Sequence, residues 1–379
     1  MIKVAIAKQE KYNKAQIKKK LSRMLADLDI LEQMRNCSVL IKPNCVGVLA
    51  PAEGRTTHPI VLEALAEILQ GVGAKVTIGE SSEVGADTWA AYQKTGIKKV
   101  AEKLGVELID FKKSNYVEVS VDNPVAIKKI LLPEEVLNAD YLISLAKMKT
   151  NYVSRMSCSM KNMKGTLLDK QKRSFHRIGL QEGIVDLYSV INGLNCLAII
   201  DGIVGTQLYQ PRKLGALVAS TDFIAADSVC AEIMGLNPRE VKYLKIGYQR
   251  GLGEIDIKKM KILGPLFTVS PSFRSIPPGL RYMAKEFEVK IVDGNPCSSC
   301  IGGLYLGLKK IKLTRPELLK GLRIAVGDCK DIDNLSDTIR FGSCACQNRK
   351  DRLSVIGCCP TSADLIKVVR EKNKKPCSK

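Results

Sequence analysis

Short apolar runs alternate with longer amphipathic stretches along the first two thirds of the chain. The apolar runs predict strands, and they are IKVAIAK, SVLIKPN, KVTIGES, VELIDF, YLISLAK, LAIIDGIVG and GALVAST. Helical periodicity follows at residues 14–28, 86–104 and 222–234, and in HPIVLEALAEILQGVGA, where a histidine–proline pair begins the helix and glycines end it. This alternation predicts an α/β fold with a mostly parallel, Rossmann-like sheet and flanking helices.

The pattern changes twice. YVEVSV and AIKKILL alternate like the two strands of an antiparallel pair. Residues 264–289 begin with a stretch rich in proline, serine and glycine, which indicates a linker. We therefore predict an α/β domain over residues 1–263 and a smaller, cysteine-rich α+β domain over residues 290–379. In the latter, RIAVGD, TIRFG and LSVIG are predicted strands, and IGGLYLGLKKI and SADLIKVVREK are predicted helices.

Cysteines are concentrated in the last quarter of the chain. Eight of the thirteen follow residue 290, at positions Cys297, Cys300, Cys329, Cys344, Cys346, Cys358, Cys359 and Cys377. The Cys297-Ser-Ser-Cys300 spacing can direct two thiolates to one metal-sized centre. Either Cys344 or Cys346, and either Cys358 or Cys359, would complete a set of four. A 4Fe–4S cluster, a structural zinc ion, and reduced thiols or a redox dithiol are the three interpretations.

Polar residues stand where predicted strands of the first domain end, which is where α/β domains bind ligands. Lys42 and Asn44 belong to IKPN, while Lys147, Lys149 and Asn151 belong to AKMKTN. The following segment adds Lys161, Asn162 and Lys164, as well as Gly165, where the backbone can approach a ligand closely. These side chains predict a pocket for a carboxylate or a phosphate. The competing interpretation is a solvated, lysine-rich loop and helix.

The chain contains two histidines, His58 and His176, and neither falls in an apolar stripe. Together with Lys149 they are the candidate catalytic residues, as acids or bases beside an anionic substrate. Glu80, Asp201 and Asp222 also stand at strand ends, where they would balance lysines or cap helices.

A formal net charge of +20 suits an anionic small ligand or an acidic redox partner. Basic and acidic residues are interleaved and aromatic residues make up only 5%, which argues against nucleic-acid binding. No run of about 18 apolar residues is present, so no membrane span is predicted. A short, charge-broken N-terminal apolar stretch predicts no signal peptide, and we expect a cytoplasmic protein with reduced thiols.

Five blocks of the first 260 residues carry a family resemblance. IKPN, TTHPIVLEALAEILQGVGAKVTIGES, LAKMKTNYVSRMSCSMKNMKG, IIDGIVG and ASTDFIAADSVCAEIMG occur in the order found in the Domain of Unknown Function family 362, whose members often carry an iron–sulfur module. In the tail, CSSCIGGLYLGL, FGSCA and IGCCPTSADLI resemble the cysteine-bearing half of some members. The resemblance implies Cys297, Cys300, Cys344 and Cys358 as the cluster ligands.

Two positions depart from the family pattern. Asn151 occupies the position of the histidine in the Lys-Thr-His sequence that is usual in the family. Gly357-Cys358-Cys359-Pro360 stands where the family has Gly-Cys-Pro-Pro. We expect Asn151 to contact the ligand as a neutral hydrogen-bond partner. The tail lacks a compact ferredoxin run, so one cluster is expected rather than two.

The resulting expectation is an iron–sulfur oxidoreductase that acts on a small anionic substrate, with a ferredoxin-like or other electron donor. Reductase chemistry is favoured over dehydratase chemistry. The alternative is an electron-transfer or cluster-carrier protein that has no substrate of its own.

Overall fold

A computed structural model describes residues 1–151, 153–207, 210–269, 271–273, 279–330, 335–347, 349–358 and 360–373. The chain divides into an N-terminal unit, Met1–Ser275, and a C-terminal unit, Ile276–Lys379. The division falls inside the predicted linker 264–289. Parts of that segment belong to the two units. Val269 N donates to Ile233 O and Phe273 N donates to Met234 O within the N-terminal unit, and residues 280–287 form a helix of the C-terminal unit.

Eleven strands are described in the N-terminal unit. They are β1 (Lys3–Lys8), β2 (Ser38–Pro43), β3 (Lys75–Glu80), β4 (Glu107–Asp110), β5 (Tyr116–Ser120), β6 (Lys129–Pro133), β7 (Tyr141–Asn151), β8 (Arg155–Ser157), β9 (Cys196–Gln207), β10 (Gln210–Ser220) and β11 (Lys261–Leu263). Nine of them form one sheet in the order β11-β1-β10-β9-β7-β2-β3-β4, with β8 paired to β7. The pairs β1–β10, β10–β9 and β7–β8 are antiparallel and the other five are parallel. The predicted α/β fold with a mostly parallel sheet is confirmed.

The sheet is covered by helices on both faces. The described helices of this unit are α1 (Lys14–Asp27), α2 (Pro59–Gly71), α3 (Thr88–Thr95), α4 (Ile97–Leu104), α5 (Glu134–Asn138), α6 (Ser159–Asn162), α7 (Asp169–Ile178), α8 (Leu180–Ile191), α9 (Phe223–Met234) and α10 (Lys242–Gln249). Alternate residues of the central strands enter two separate apolar clusters, one containing α1 to α4 and the other containing α8 to α10. This alternation is the two-residue period of a strand buried on both faces.

Local sequence explains two details. The stretch 86–104, predicted as one helix, is two, because Gly96 takes a left-handed φ of 80° between α3 and α4. The predicted antiparallel pair is confirmed as β5 and β6, which form a separate two-stranded sheet.

The C-terminal unit has a parallel four-stranded sheet. Its described elements are α11 (Leu280–Phe287), β12 (Lys290–Gly294), α12 (Ser298–Thr314), β13 (Arg323–Gly327), β14 (Ile339–Phe341), α13 (Ser343–Cys346), β15 (Ser354–Val355) and α14 (Ser362–Lys372). The strand order is β12-β13-β14-β15, and every described pair is parallel. The unit is therefore wound as α/β rather than the predicted α+β, because parallel neighbours require crossover connections such as α12.

In the part of the chain that the structure describes, no helix is both long enough and apolar enough to cross a membrane.

Candidate functional site

A cavity of about 250 Å³ opens where β2, β3 and β7 end in the N-terminal unit. Its described lining includes five basic side chains, two carboxylates and one histidine: Arg55, Lys149, Lys161, Lys164, Lys172, Glu80, Glu83 and His176. Asn44, Asn151 and Asn162 also line it. Of the predicted site residues, the structure thus brings Lys149, Lys161, Lys164, His176 and the three asparagines to one place.

A buried ion pair lies beneath this cavity. Lys42 Nζ is 2.8 Å from Glu80 Oε2, and both side chains are almost fully buried. The Glu80 carboxylate also accepts the backbone N–H groups of Cys45 and Ser81, at 3.0 and 2.9 Å. Burial is the largest influence on both groups, lowering the pKa of Lys42 and raising the pKa of Glu80, while their attraction opposes both shifts. Lys42, predicted to bind substrate, instead supports the cavity from below.

Gly165 is required where the lysine segment crosses this ion pair. It lies in a 3-10 turn, Met163–Thr166, and a methyl group at its Cα would overlap the Glu80 carboxylate and the Lys42 ammonium. The sequence predicted that a ligand could approach the backbone at Gly165 closely, and in the structure this backbone lies against the protein ion pair.

Two asparagines form a relay of hydrogen bonds with fixed polarity. Asn162 Nδ2 donates to Lys42 O at 3.1 Å and to Ser144 Oγ at 3.0 Å. Asn162 Oδ1 in turn accepts from Asn44 Nδ2 at 3.1 Å. A backbone carbonyl can only accept, so the Asn162 nitrogen must face Lys42 O and the Asn162 oxygen must face Asn44. Asn44 therefore turns its nitrogen to Asn162 and its Oδ1 away from it. The Asn162 side chain is thus fully engaged by protein groups and acts by positioning Asn44.

The Asn44 oxygen contacts Lys149. Lys149 Nζ lies 2.7 Å from Asn44 Oδ1 and 2.8 Å from the backbone oxygen of Arg55. Burial, followed by the charges of Arg55 and Lys147, lowers the pKa of Lys149 to about 7. An amino group with this pKa exchanges protons at neutral pH, which suits the predicted catalytic role.

The two lysines that follow β8 face the same cavity. Lys161 Nζ donates to Ser154 Oγ at 2.9 Å, and Lys164 Nζ lies 3.0 Å from His176 Nε2. Burial and then the neighbouring lysine charges lower the pKa of Lys161 well below its usual value. The same two influences lower the pKa of His176 to about 2. His176 is therefore neutral at physiological pH, and its Nε2 is in hydrogen-bond contact with the Lys164 amino group.

Short elements hold this lysine segment in place. Asp227 on α9 accepts from Ser159 N at 2.7 Å and from Tyr243 OH at 3.3 Å. Asn151 Oδ1 accepts from Val153 N and Ser154 N, both at 3.0 Å, and so closes the turn after β7. The Asn151 oxygen is thus used to shape the turn, which differs from the predicted ligand contact.

Lys147 and His58 lie in a separate, partly buried cluster outside the described cavity lining. Lys147 Nζ contacts Asp201 Oδ2 and Tyr12 OH, both at 2.8 Å, and both charged side chains are fully buried. His58 stacks on Tyr12 with ring centroids 3.6 Å apart, and its Nδ1 accepts from Ile60 N as the N-cap of α2. Burial lowers the pKa of His58 to about 4. The substrate role predicted for Lys147 and the catalytic role predicted for His58 are replaced by structural ones.

The predicted balancing and capping roles of the acidic residues are confirmed. Glu80 pairs with Lys42, Asp201 pairs with Lys147, and Asp222 caps α9 by accepting from Ala225 N at 2.9 Å.

Sequence reasoning missed Arg55 and Lys172 in the lining. Lys172 Nζ donates to Ser81 O and Ser81 Oγ at 2.7 Å and to Ser82 O at 2.6 Å, and burial lowers its pKa to about 8. Its spacing from His176 was a usable signal, because residues four apart share one face of a helix. Arg55 carried no such signal, since it lies outside the strand and helix patterns.

The cysteine segment of the C-terminal unit is drawn together in part. Cys297 is the N-cap position of α12, and hydrogen bonding from Cys300 lowers the pKa of Cys297 to about 6, which favours the thiolate. A methyl group at Gly342 would lie 3.1 Å from the Cys300 sulfur. Ser343 N donates to Gly357 O at 3.0 Å, and Gly357 N donates to Ser343 Oγ at 3.2 Å. The residues that precede Cys344 and Cys358 are thus bonded to each other, next to the Cys300 segment.

The described cysteines also differ in exposure. Cys344 and Cys358 are exposed, whereas Cys346 is buried with its sulfur 3.4 Å from Arg340 O, and Cys329 is buried near Val326 O. Cys359 and Cys377 lie outside the described residues. Among residues that are described, no three His, Cys, Asp or Glu side chains converge on a position for a metal ion. The described structure therefore brings the segments of these four cysteines together, with Cys297 and Cys300 in contact, but shows no completed set of metal ligands.

Comparison with known proteins identifies the family. Residues 39–232 match the family model described as Domain of unknown function (DUF362). The chain belongs to the DUF362 family. The matched region runs from the second residue of β2 past the end of β10 and contains every residue of the cavity lining named above.

Two further similarities of this DUF362 chain are more distant. A thylakoid-associated protein of Synechocystis sp. is 28% identical over 227 residues, covering 56% of this chain and 68% of that protein. The structure of the lactate racemase apoprotein from Thermoanaerobacterium thermosaccharolyticum is 12% identical with a TM-score of 0.41, covering 61% of this chain and 56% of that chain. This chain thus spans little more than half of that solved structure.

Proposed function

We propose that the protein is an enzyme that binds a small carboxylate or phosphate substrate in the cavity of its N-terminal unit. The observation that carries the proposal is the charge of the described lining, where five basic side chains face two carboxylates. One of these carboxylates, Glu80, is already paired with Lys42 beneath the cavity. The other basic groups share a partly enclosed space, where a bound anion would favour their ammonium forms and relieve their mutual repulsion.

The direct test is calorimetric titration with inorganic phosphate, sulfate and small carboxylates. Lys161→Ala removes an amino group that lines the cavity and that a bound anion would hold in the ammonium form, so we expect it to weaken binding of whichever anion binds the wild type. Lys19→Ala is the matched control, because Lys19 is an exposed lysine on α1 outside the cavity lining. Equal binding by the two variants, or no binding by the wild type, would contradict the proposal.

We also propose that Cys297, Cys300, Cys344 and Cys358 hold a 4Fe–4S cluster, which makes the protein an oxidoreductase, with reductase chemistry favoured. The contact between Cys297 and Cys300 and the paired segments before Cys344 and Cys358 support this set. Such a cluster would supply one-electron transfer, with a ferredoxin-like or other protein as donor. A cytoplasmic location is part of this proposal, because reduced thiols are required.

Iron and sulfide analysis of anaerobically purified protein tests the cluster. Serine at any of the four ligand positions should lower the iron content, whereas Cys346→Ser and Cys329→Ser should retain it, because those two thiols are buried against backbone carbonyls. Colourless protein with stoichiometric zinc would refute the cluster. A cluster without anion binding by the N-terminal unit would favour the alternative, an electron-transfer or cluster-carrier protein.

A further inference from the structure

The contacts of Lys149, two neutral carbonyl oxygens, differ from those of Lys42, Lys147 and Lys172. Lys42 and Lys147 are each 2.8 Å from a buried carboxylate, which favours the ammonium form. Lys172 donates to three oxygen atoms, which uses all three hydrogens of an ammonium group. Lys149 contacts two oxygens, Asn44 Oδ1 and Arg55 O, and both belong to neutral amides.

This arrangement suits a neutral amine. A neutral amino group has two hydrogens and one lone pair. If both hydrogens of Lys149 point to the two carbonyl oxygens, the lone pair occupies the remaining tetrahedral position of the nitrogen. The Lys149 side chain lines the cavity. The lowered pKa of Lys149 is consistent with a substantial neutral fraction near pH 7.

The orientation of the Asn44 side-chain amide beside Lys149 is fixed by other hydrogen bonds. Asn44 presents its oxygen to Lys149 because its nitrogen is committed to Asn162, whose own nitrogen is committed to Lys42 O. Asn44 and Asn162 are therefore positioning residues for the Lys149 amino group.

The neighbouring lysines of the cavity indicate which substrate group would bind beside Lys149. Lys161 and Lys164 line the same cavity, and their charges act on each other. A substrate carboxylate held by these two lysines would lie beside Lys149. The cavity volume of about 250 Å³ exceeds the roughly 150 Å³ that accommodates benzene, so a short-chain acid fits.

We propose that Lys149 is a nucleophile that forms a Schiff base with a small 2-oxo acid, whose carboxylate is held by Lys161 and Lys164. This inference rests on the proposed function of the cavity. The Lys149 nitrogen attacks the keto carbon, the carbon–oxygen double bond opens, and the keto oxygen leaves as water with the two amine hydrogens. The step consumes no oxidant or reductant. Once protonated, the imine retains one N–H, which Asn44 Oδ1 or Arg55 O can accept.

The test is borohydride trapping with pyruvate on the full-length protein. Reduction of the imine should give a mass increase equal to pyruvate minus one oxygen atom, and peptide mapping should place it on Lys149. Lys149→Arg keeps a long basic side chain but has no amine nucleophile, so trapping should fall to the level of the surface amines. Lys19→Ala should trap as the wild type does. Fluorescence of the single tryptophan, Trp89, checks that the variants are folded.

The controls separate this inference from the function on which it rests. Acetone has the carbonyl without the carboxylate and should trap poorly, and Lys161→Ala should reduce trapping at low pyruvate concentration. If carboxylates bind the wild type, and more weakly Lys161→Ala, but no adduct forms at Lys149, the nucleophile is refuted and the anion pocket stands. If no anion binds, the proposed function fails. Labelling spread evenly over exposed lysines would also refute the inference.

Discussion

The ion pair between Lys42 and Glu80 provides a test of how the cavity is supported. Glu80→Gln changes little volume but removes the carboxylate that faces Lys42 Nζ at 2.8 Å, where both side chains are almost fully buried. The amide also brings hydrogens toward the backbone N–H groups of Cys45 or Ser81. Breaking a buried pair by removing one partner costs about 3–5 kcal/mol, because the other charge stays buried.

Urea denaturation followed by Trp89 fluorescence measures this loss. Trp89 is the only tryptophan and lies on α3, so its signal reports on the N-terminal unit. With a urea dependence of about 3 kcal/mol per molar, the upper end for single domains, a loss of about 3–5 kcal/mol lowers the midpoint by roughly 1–2 M. Glu118→Gln is the control, because the Lys129–Glu118 pair is exposed and such pairs contribute little.

The pH dependence gives an independent check. Without Glu80, the folded-state pKa of Lys42 falls further below that of the unfolded chain, so the unfolded chain binds more protons. Stability of the variant should therefore rise with pH, and its deficit should shrink as the pH approaches the ordinary pKa of lysine from below. A midpoint shift no larger than that of Glu118→Gln would refute the role assigned to this pair.

Four further predictions follow from the same region. Gly165→Ala should lower the urea midpoint and abolish anion binding in calorimetry, because the added methyl group overlaps the Lys42 pair. The pKa of Lys149 is about 7 in the folded chain and higher in the unfolded chain, so the free energy of unfolding should rise with pH between about 7 and 10. Lys149→Met should reduce this pH dependence of the free energy of unfolding, measured by urea titration. Anion affinity measured from pH 5 to pH 7 should show no histidine titration, since the pKa of His176 is about 2, and NMR of its ring should show one neutral form. Asp227→Asn should lower both stability and anion affinity, since Asp227 holds the start of the lysine segment through Ser159.

The local sequence was sufficient for much of the fold and for part of the site. Strand and helix periodicity follows from which side chains must be buried, and it predicted the parallel sheet and the β5–β6 pair. Residues at strand ends of a parallel sheet share one edge, so Lys149 could be expected near Asn44. The four-residue spacing of Lys172 and His176 on α7 was also readable in advance.

Other properties depended on contacts between residues far apart in the chain. Six lysines stood near predicted strand ends or helices, but only the fold decided that Lys42 and Lys147 neutralise buried carboxylates while Lys149 meets two neutral carbonyls. Burial and charge at these positions are set by neighbours from β2, β3, β7 and β9, so no local pattern encodes them. Composition and spacing identified a cysteine-rich unit and predicted a basic pocket, with a solvated lysine-rich loop and helix as the competing interpretation. Tertiary structure decided that Lys149 meets two neutral oxygens, because long-range contacts bring Asn44 Oδ1 and the backbone oxygen of Arg55 to its amino group.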